Sequence, residues 1–316
     1  MTTKMVWLKK TRSGDWLRRL IDHDIFYSFT RSWVTMLAAF ITLVIIVTSL
    51  FAPWLTTHDP FNPGSLNLTD AFTPPVWVEA GKWTYPLGTD DQGRDILSTI
   101  MFGNRISLLV GFLSVLLAMG IGVTLGTVSG YIGGWLDSLI MRLADAQLTV
   151  PPILIALLVN GVARATLMRE LQENMAIYVL IFSIGISAWP QYARVTRSGA
   201  LVERSKEYIA AARVIGIHPV MIMLRHIVPN VMGPTLVLAT IGVPLAIIVE
   251  ATLSFLGVGV PPTTPSLGTL IRIGNDFLFS GEWWITIFPS LALVVLVLSV
   301  NLIGDWLRDT FNPKLR

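Results

Sequence analysis

The stretch EYIAAARVIGIHPVMIMLRHIVPN, residues 207–230, lies between two strongly apolar runs and resembles neither. Tyr208, Ala211, Ala212 and Ile215 recur at i, i+3, i+4 and i+7 and so share one helical face, with Lys206 and Arg213 off it. Gly216 supplies a helix stop. Pro219 stands where the first position of a second helix tolerates it. That helix, Pro219 to His226, carries Arg225 and His226 where they complement its C-terminal dipole, and Pro229 closes it and opens the next apolar run. The segment is too polar to span lipid and too regular for a slack loop. It is either an interfacial connector or a docking element for a cytoplasmic partner.

The surrounding chain is built for lipid. Of its 316 residues, 53% are hydrophobic and 14% charged, against roughly 25% charged in an ordinary soluble domain. It has no cysteine, which excludes a disulfide framework, thiolate zinc sites and a thiol nucleophile. A spanning helix needs about 20 mainly apolar residues. Six gaps between charges meet that need: Arg31 to Asp59, Arg105 to Asp137, Asp145 to Arg164, Glu173 to Arg194, Val231 to about Val260, and Glu282 to Asp305. The expected fold is therefore an all-α integral membrane protein with six transmembrane helices.

With the N-terminus inside, 17 of the 23 Lys and Arg fall on inner segments, so both termini and the 207–230 stretch are expected in the cytoplasm. Trp33, Trp54, Trp189, Trp283 and Trp284 fall near span ends, as interfacial rings do. The organisation expected is a cytoplasmic N-terminal segment over 1–32, a transmembrane domain over 33–307 and a cytoplasmic tail over 308–316. Within the transmembrane domain, an outer loop covers about 53–104 and an inner loop about 194–230. Trp16, Leu17, Leu20 and Ile21 share a face beside Arg18 and Arg19, which fits a helix lying on the inner leaflet. In the outer loop, Ile96, Leu97, Ile100 and Met101 form the stripe of one amphipathic helix. After the second span, Gly130, Gly133 and Gly134 permit a tight turn, and Arg142 and Asp145 are spaced to pair on one face.

Catalytic and nucleotide-binding patterns are missing from the sequence. It has no phosphate-binding glycine loop, no dinucleotide fingerprint and no H-E-x-x-H, and its four histidines are scattered. No catalytic residue, metal site, cofactor or nucleic acid is expected for this chain, and its surroundings are membrane lipid. Glu250 is the one acid inside an apolar run, and an intramembrane carboxylate is a functional candidate. Counted from Val231 it lies about 28 Å along a helix, near the outer interface. There it is solvated or paired with Arg272, or it lines a translocation pathway.

Taken together, several stretches resemble the permease subunits of ATP-binding-cassette importers of the dipeptide/oligopeptide (and nickel) type, in their C-type form. Ala210-Ala211-Ala212, Gly216 and Val228-Pro229 are similar to that family's E-A-A-x-x-x-G…L-P loop. PLGTDDQGRDILSTIMFGNRIS (86–107), GYIGGWLDSLIMRLAD (130–145), EATLSFLGVGVPPTTPSLGTLI (250–271) and NLIGDWLRDTFNPKLR (301–316) look like its other signature stretches. The likeness extends over nearly the whole chain from Trp33. Ala210 departs from it by replacing a Glu, with Glu207 the nearest carboxylate, and His226 stands at a usual Ile.

The resemblance implies a type I importer permease fold in which residues 207–230 form a cytoplasmic coupling loop. Glu207, Ala210, Ala211, Ala212, Gly216, Pro219, Arg225 and Pro229 are then the residues that meet the ATPases. It also implies a second homologous permease, two cytoplasmic ATPase subunits that bind the ATP, and an extracytoplasmic solute-binding protein. The cargo is short peptides, or nickel or another small solute. A secondary transporter driven by an ion gradient is the alternative, and it would call for paired midplane charges in two related halves.

Because the chain has no native cysteine, a single Ser205→Cys can be labelled without background. An impermeant thiol reagent is expected to modify it from the cytoplasmic side only. Labelling from outside intact cells would overturn the topology.

Overall fold

In lipid every backbone N–H and C=O must be satisfied within the segment, which leaves the helix as the economical solution for six apolar runs. The computed structural model describes residues 29–56, 60–61, 68–166 and 169–311, and among these it contains helices and turns but no strand, only an isolated bridge between Thr89 and Asp95. The helices are α1 (Trp33–Leu50), α2 (Ala52–Leu55), α3 (Ile96–Ile132), α4 (Gly134–Leu148), α5 (Pro152–Thr166) and α6 (Arg169–Arg204). They continue with α7 (Glu207–Val214), α8 (Pro219–Ile222), α9 (Val228–Phe255), α10 (Leu267–Asn275) and α11 (Trp284–Phe311). Five pass as membrane spans by length and apolarity, and a sixth arises if α4 and α5 count together. The N-terminal surface helix around Trp16 to Ile21 lies outside the described residues.

α3 and α6 share the longest packed seam of the molecule. Gly122, Gly126 and Gly130 recur every four residues on α3. A Cβ at Gly126 would run into the Ala193 carbonyl and lie 2.9 Å from Thr196 Cβ. Small residues are what let two membrane helices approach this closely, where dispersion rather than water exclusion drives packing. Gly130 therefore serves packing rather than the turn expected of it. The turn lies at Gly133 and Gly134, both at positive φ.

Pro190 inside α6 cannot donate to the carbonyl of Ile186. Gln147 of α4 does so instead, through Nε2 at 2.6 Å, and its Oε1 accepts from Trp189 Nε1 at 2.9 Å. α1 follows the same logic inside out. It turns Thr35, Ala38, Thr42 and Ser49 inward and leaves Phe40, Leu43 and Leu50 exposed, as a helix bathed in lipid should.

Two expectations are corrected and two features are new. The outer amphipathic helix is the first turn of α3 itself: its 37 residues extend about 55 Å, well beyond a hydrocarbon core of about 30 Å, and Asp95 caps the protruding end through Ser98 N–H at 2.9 Å. The third span is not straight, for α4 and α5 meet at 95°, where Pro151 and Pro152 interrupt the ladder. Asp145 pairs with Arg194 at 2.5 Å rather than with Arg142, because α6 passes closer than the next turn of α4. The outer segment before α11 contains an unforeseen helix, α10, which buries Leu267 and Leu270 against α11, α9 and α3. The turns before α3 pack over the same end, where Trp284 Nε1 donates to the Thr89 carbonyl at 3.1 Å.

Replacing Gly126 with Leu should force α3 and α6 apart at a cost of about 1–3 kcal/mol or more, lowering the unfolding temperature in detergent. Gly120→Leu is the control, since a side chain there meets nothing within 4 Å and should change little. Equal effects would show that the seam is not what sets stability.

Candidate functional site

At the end of the bundle where α6 stops and α9 begins, α7 is a short helix that stands apart from the spans. Its cap is built as the sequence implies. Ile217 N–H donates to the Ala212 carbonyl at 3.1 Å and Gly216 N–H to that of Arg213 at 3.1 Å, with Gly216 at φ +78°. This is the six-to-one, five-to-two pair of a Schellman motif. Pro219 takes the first helical position of α8, capped by His218, whose Nδ1 accepts from Val220 N–H at 3.3 Å.

The expected second helix is not an isolated one. α8 passes through a π turn, Met223–Ile227, directly into α9. Val228 N–H reaches back five residues to the Met223 carbonyl. The widened turn relieves the clash that Pro229, lacking an N–H, would have with the carbonyl four residues before it. Pro229 therefore does not close the element. The coupling between α7 and the fifth span runs through one continuous rod.

The buried face of α7 is also rotated from the expected one. Ile209 and Ala212 are buried, in a cluster with Tyr131, Ala200, Ile222, Ile227 and Val231, and Ile217 packs against it. Ala210, Ala211 and Ile215 point outward. The physical reason is the Schellman turn: folding Ile217 back under α7 pulls the Ile209–Ala212 side inward. Outside lies an unusual surface, with Val214 87% and Ile215 74% exposed beside Met221 and Leu224, which are also exposed. Lys206, Glu207, Arg213, His218 and Arg225 surround these apolar groups, all exposed. An apolar patch with a charged rim on a loop outside the spans is the signature of a protein contact.

Polar contacts fasten the base of this loop to three spans. Glu203, at the end of α6, accepts from Lys206 Nζ at 2.6 Å and from the Tyr208 hydroxyl. The hydrogen bond to Glu203 pushes the Tyr208 phenol above its usual range. Asn230 of α9 donates to the same hydroxyl at 3.3 Å. Arg213 stacks over the Tyr131 ring at 4.9 Å. Arg204 Nη1 donates to the carbonyls of Gly130 and Tyr131 at 3.1 and 3.3 Å, where the end of α3 concentrates negative partial charge. Arg197 grips Asp137 through Nε and Nη2 at 2.5 and 2.7 Å. None of Glu203, Tyr131 or Asn230 was legible as part of the site, though Glu203 stands three residues before Lys206, a spacing that permits the pair.

Glu250 lies far from this loop, near the opposite end of α9, and is fully buried. It is neither solvated nor paired with Arg272. Ser107 Oγ donates to Oε2 at 2.8 Å and Ser254 Oγ to Oε1 at 2.7 Å. Those serine oxygens in turn accept from Leu267 N–H at 3.4 Å and Val260 N–H at 3.3 Å. The helix contacts that bring Ser107 across from α3 take the place of the expected water. Among the described residues no group of acidic, His or Cys side chains has a metal-binding arrangement.

The profile of a family described as "Binding-protein-dependent transport system inner membrane component" matches residues 122–316. A second, described as "N-terminal TM domain of oligopeptide transport permease C", matches residues 23–75. Curated relatives include the dipeptide transport system permease protein DppC of Haemophilus influenzae, 38% identical over 93% of this chain and 95% of that protein. The protein of the same name from Escherichia coli K12 is 37% identical over 93% of each chain. The glutathione transport system permease protein GsiD of Pectobacterium atrosepticum is 36% identical over 91% of this chain and 89% of that one.

No atom lies within 4 Å of a Cβ placed on Gly216, so a side chain there is penalised by backbone conformation alone, by about 1–2 kcal/mol. Each 1.4 kcal/mol is tenfold in the open population, and proteolysis tracks that population. Gly216→Val should thus raise the tryptic cleavage rate at Arg213 by about tenfold, while Gly216→Asn, which tolerates the left-handed region, stays near wild type. Equal rates in both variants would show that the cap does not order α7.

Proposed function

The chain belongs to the family of binding-protein-dependent transport system inner membrane components, and from that premise we propose that it is the permease subunit of an ATP-driven importer whose cargo is short peptides. It is a multi-pass inner-membrane protein. In our reading both termini and the 207–230 loop face the cytoplasm, a second homologous permease completes the pathway, and two ATP-binding-cassette subunits dock on the loop. An extracytoplasmic binding protein delivers the cargo. The chain itself performs no covalent chemistry. The peptide assignment is supported by the names of its relatives, which are dipeptide and glutathione permeases.

The observation that carries the coupling role is the exposed apolar tip, Val214 and Ile215, on a helix whose base is bonded to α3, α6 and α9. A groove on an ATPase would take up the tip by burying it, at about 25 cal/mol per Å² of apolar surface. Movement of that groove on ATP binding is then passed through Tyr208, Arg213 and Arg204 to three spans together, with little slack because each contact is a hydrogen bond or a stacked cation. Membership of this family argues against the ion-gradient alternative.

Ile215→Asp should leave the protein in the membrane yet reduce co-purification of the ATPase subunits and peptide-stimulated ATP hydrolysis by tenfold or more, a loss of about 1.4 kcal/mol or greater. The purified chain alone should hydrolyse no ATP. Unchanged docking and stimulation in the variant would leave the loop a connector. Uptake by the single chain under a proton or sodium gradient would favour secondary transport instead.

A further inference from the structure

The outer end of the bundle holds a polar cavity that the coupling loop does not explain. Its 430 Å³ falls in the range of about 300–1,000 Å³ typical of small-molecule sites. Two arginines and one carboxylate line it: Arg164 at the end of α5, Arg272 on α10, and Asp276 just after α10. Arg164 is fixed in place. Nε donates to Asn160 Oδ1 at 3.1 Å, Nη1 to the Gly257 carbonyl at 3.3 Å, and Nη2 to the Gly259 carbonyl. Arg272 converges on the same turn, since a Cβ on Gly257 would collide with its guanidinium. Among the described residues neither arginine nor Asp276 takes part in an ion pair.

Two cations are thus brought to one residue, and the cavity's single carboxylate, Asp276, pairs with neither. The arginines therefore repel each other, and an anionic group bound between them would relieve that repulsion. The wall they lean on is rigid. The Glu250 carboxylate, through Ser254 and Ser107, holds the N–H groups of Val260 and Leu267, which bracket the turn-rich segment between α9 and α10. A preformed wall costs a ligand less ordering on binding. Lipid phosphate is the simplest occupant for arginines near an interface, but a carboxylate in the same wall would oppose it. A zwitterion uses all three groups.

We propose that this cavity binds the charged ends of a short peptide, its terminal carboxylate held by Arg272 and Arg164 and its ammonium group by Asp276. The inference rests on the assignment of peptide cargo and deepens it. A dipeptide extends about 7 Å, which suits a site that holds both of its ends within one cavity. Arg272 and Asp276 are exposed, so the site is open to arriving cargo, while Arg164 is half-buried and serves as its fixed point.

The test places a cysteine in the cavity wall, Ala176→Cys, as the only cysteine of this chain in the assembled importer in lipid vesicles. An anionic thiosulfonate should label it about tenfold faster than a cationic one, as an electropositive cleft focuses anions. A millimolar dipeptide should slow labelling several-fold, and the same dipeptide with its C-terminus amidated far less. Adding Arg272→Gln should abolish both the reagent preference and the protection. Adding Arg272→Lys should keep the preference but blunt the acid–amide difference, because an ammonium lacks the two-pronged grip of a guanidinium.

Failure to label, equal rates for the two reagents, or equal protection by acid and amide would overturn the site. Protection that tracks the anionic lipid content of the vesicles and not peptide would assign the arginines to lipid phosphate and overturn it as well. Peptide-stimulated ATP hydrolysis, measured with the binding protein in the same vesicles, separates the two readings. Stimulation without protection sinks this inference alone, and the lack of stimulation by any peptide sinks the peptide assignment.

Discussion

Close approach of α3 and α6 is the constraint on which the rest of the molecule depends. Lipid tails are as apolar as leucine, so no water-driven force holds these helices together. What holds them is contact area, and contact area needs the glycines at 122, 126 and 130. Both helices are far longer than the membrane is thick. One rigid seam therefore passes from the turns around Thr89 and Asp95 at one end to the Gly133 turn and Glu203 at the other. The 207–230 loop is attached to one end of that seam and the polar cavity to the other.

At the α7 end the attachments are polar, because α7 is short and cannot anchor itself by packing alone. Eight residues bury two side chains, a modest hydrophobic contribution. Glu203, Tyr208, Asn230, Arg213 and Arg204 add directional bonds to three spans, and these fix the angle at which Val214 and Ile215 face the water. The π turn after α8 contributes stiffness in another way. By accommodating Pro229 without breaking the rod, it makes the fifth span and the loop a single lever.

At the outer end the same economy appears with the charges reversed. A carboxylate with no cation beside it is tolerated at Glu250 because two serine hydroxyls donate to it and pass on two backbone N–H groups. Two guanidinium groups without an ion pair, Arg164 and Arg272, line the cavity beside the segment that Glu250 secures. The buried acid is thus satisfied by hydrogen bonds, and the charged groups without an ion pair lie in the open cavity.

Much of this was readable from one line of residues. The apolar gaps gave the spans, and the Gly216–Pro219 spacing gave the break after α7 and the start of α8, since helix caps depend on local backbone chemistry. The reading failed where distant segments compete for one group. Asp145 prefers Arg194 to the Arg142 on its own helix. Ile186 loses its backbone donor to Pro190 and finds Gln147. Glu250 meets Ser107, 143 residues away, rather than water or Arg272. Periodicity told that α7 has an apolar face but placed it wrongly, because the turn folding Ile217 beneath the helix decides which side is covered. The sequence by itself determined the apolar spans, their number to within the bent third one, and the Gly216 cap, though not α10 or the continuity of α8 with α9, for spans and caps depend on short-range sterics and on the free energy of apolar segments in lipid. Which polar groups are satisfied, and by whom, was decided only in three dimensions, because a hydrogen-bond partner is chosen by distance in space and not by separation along the chain.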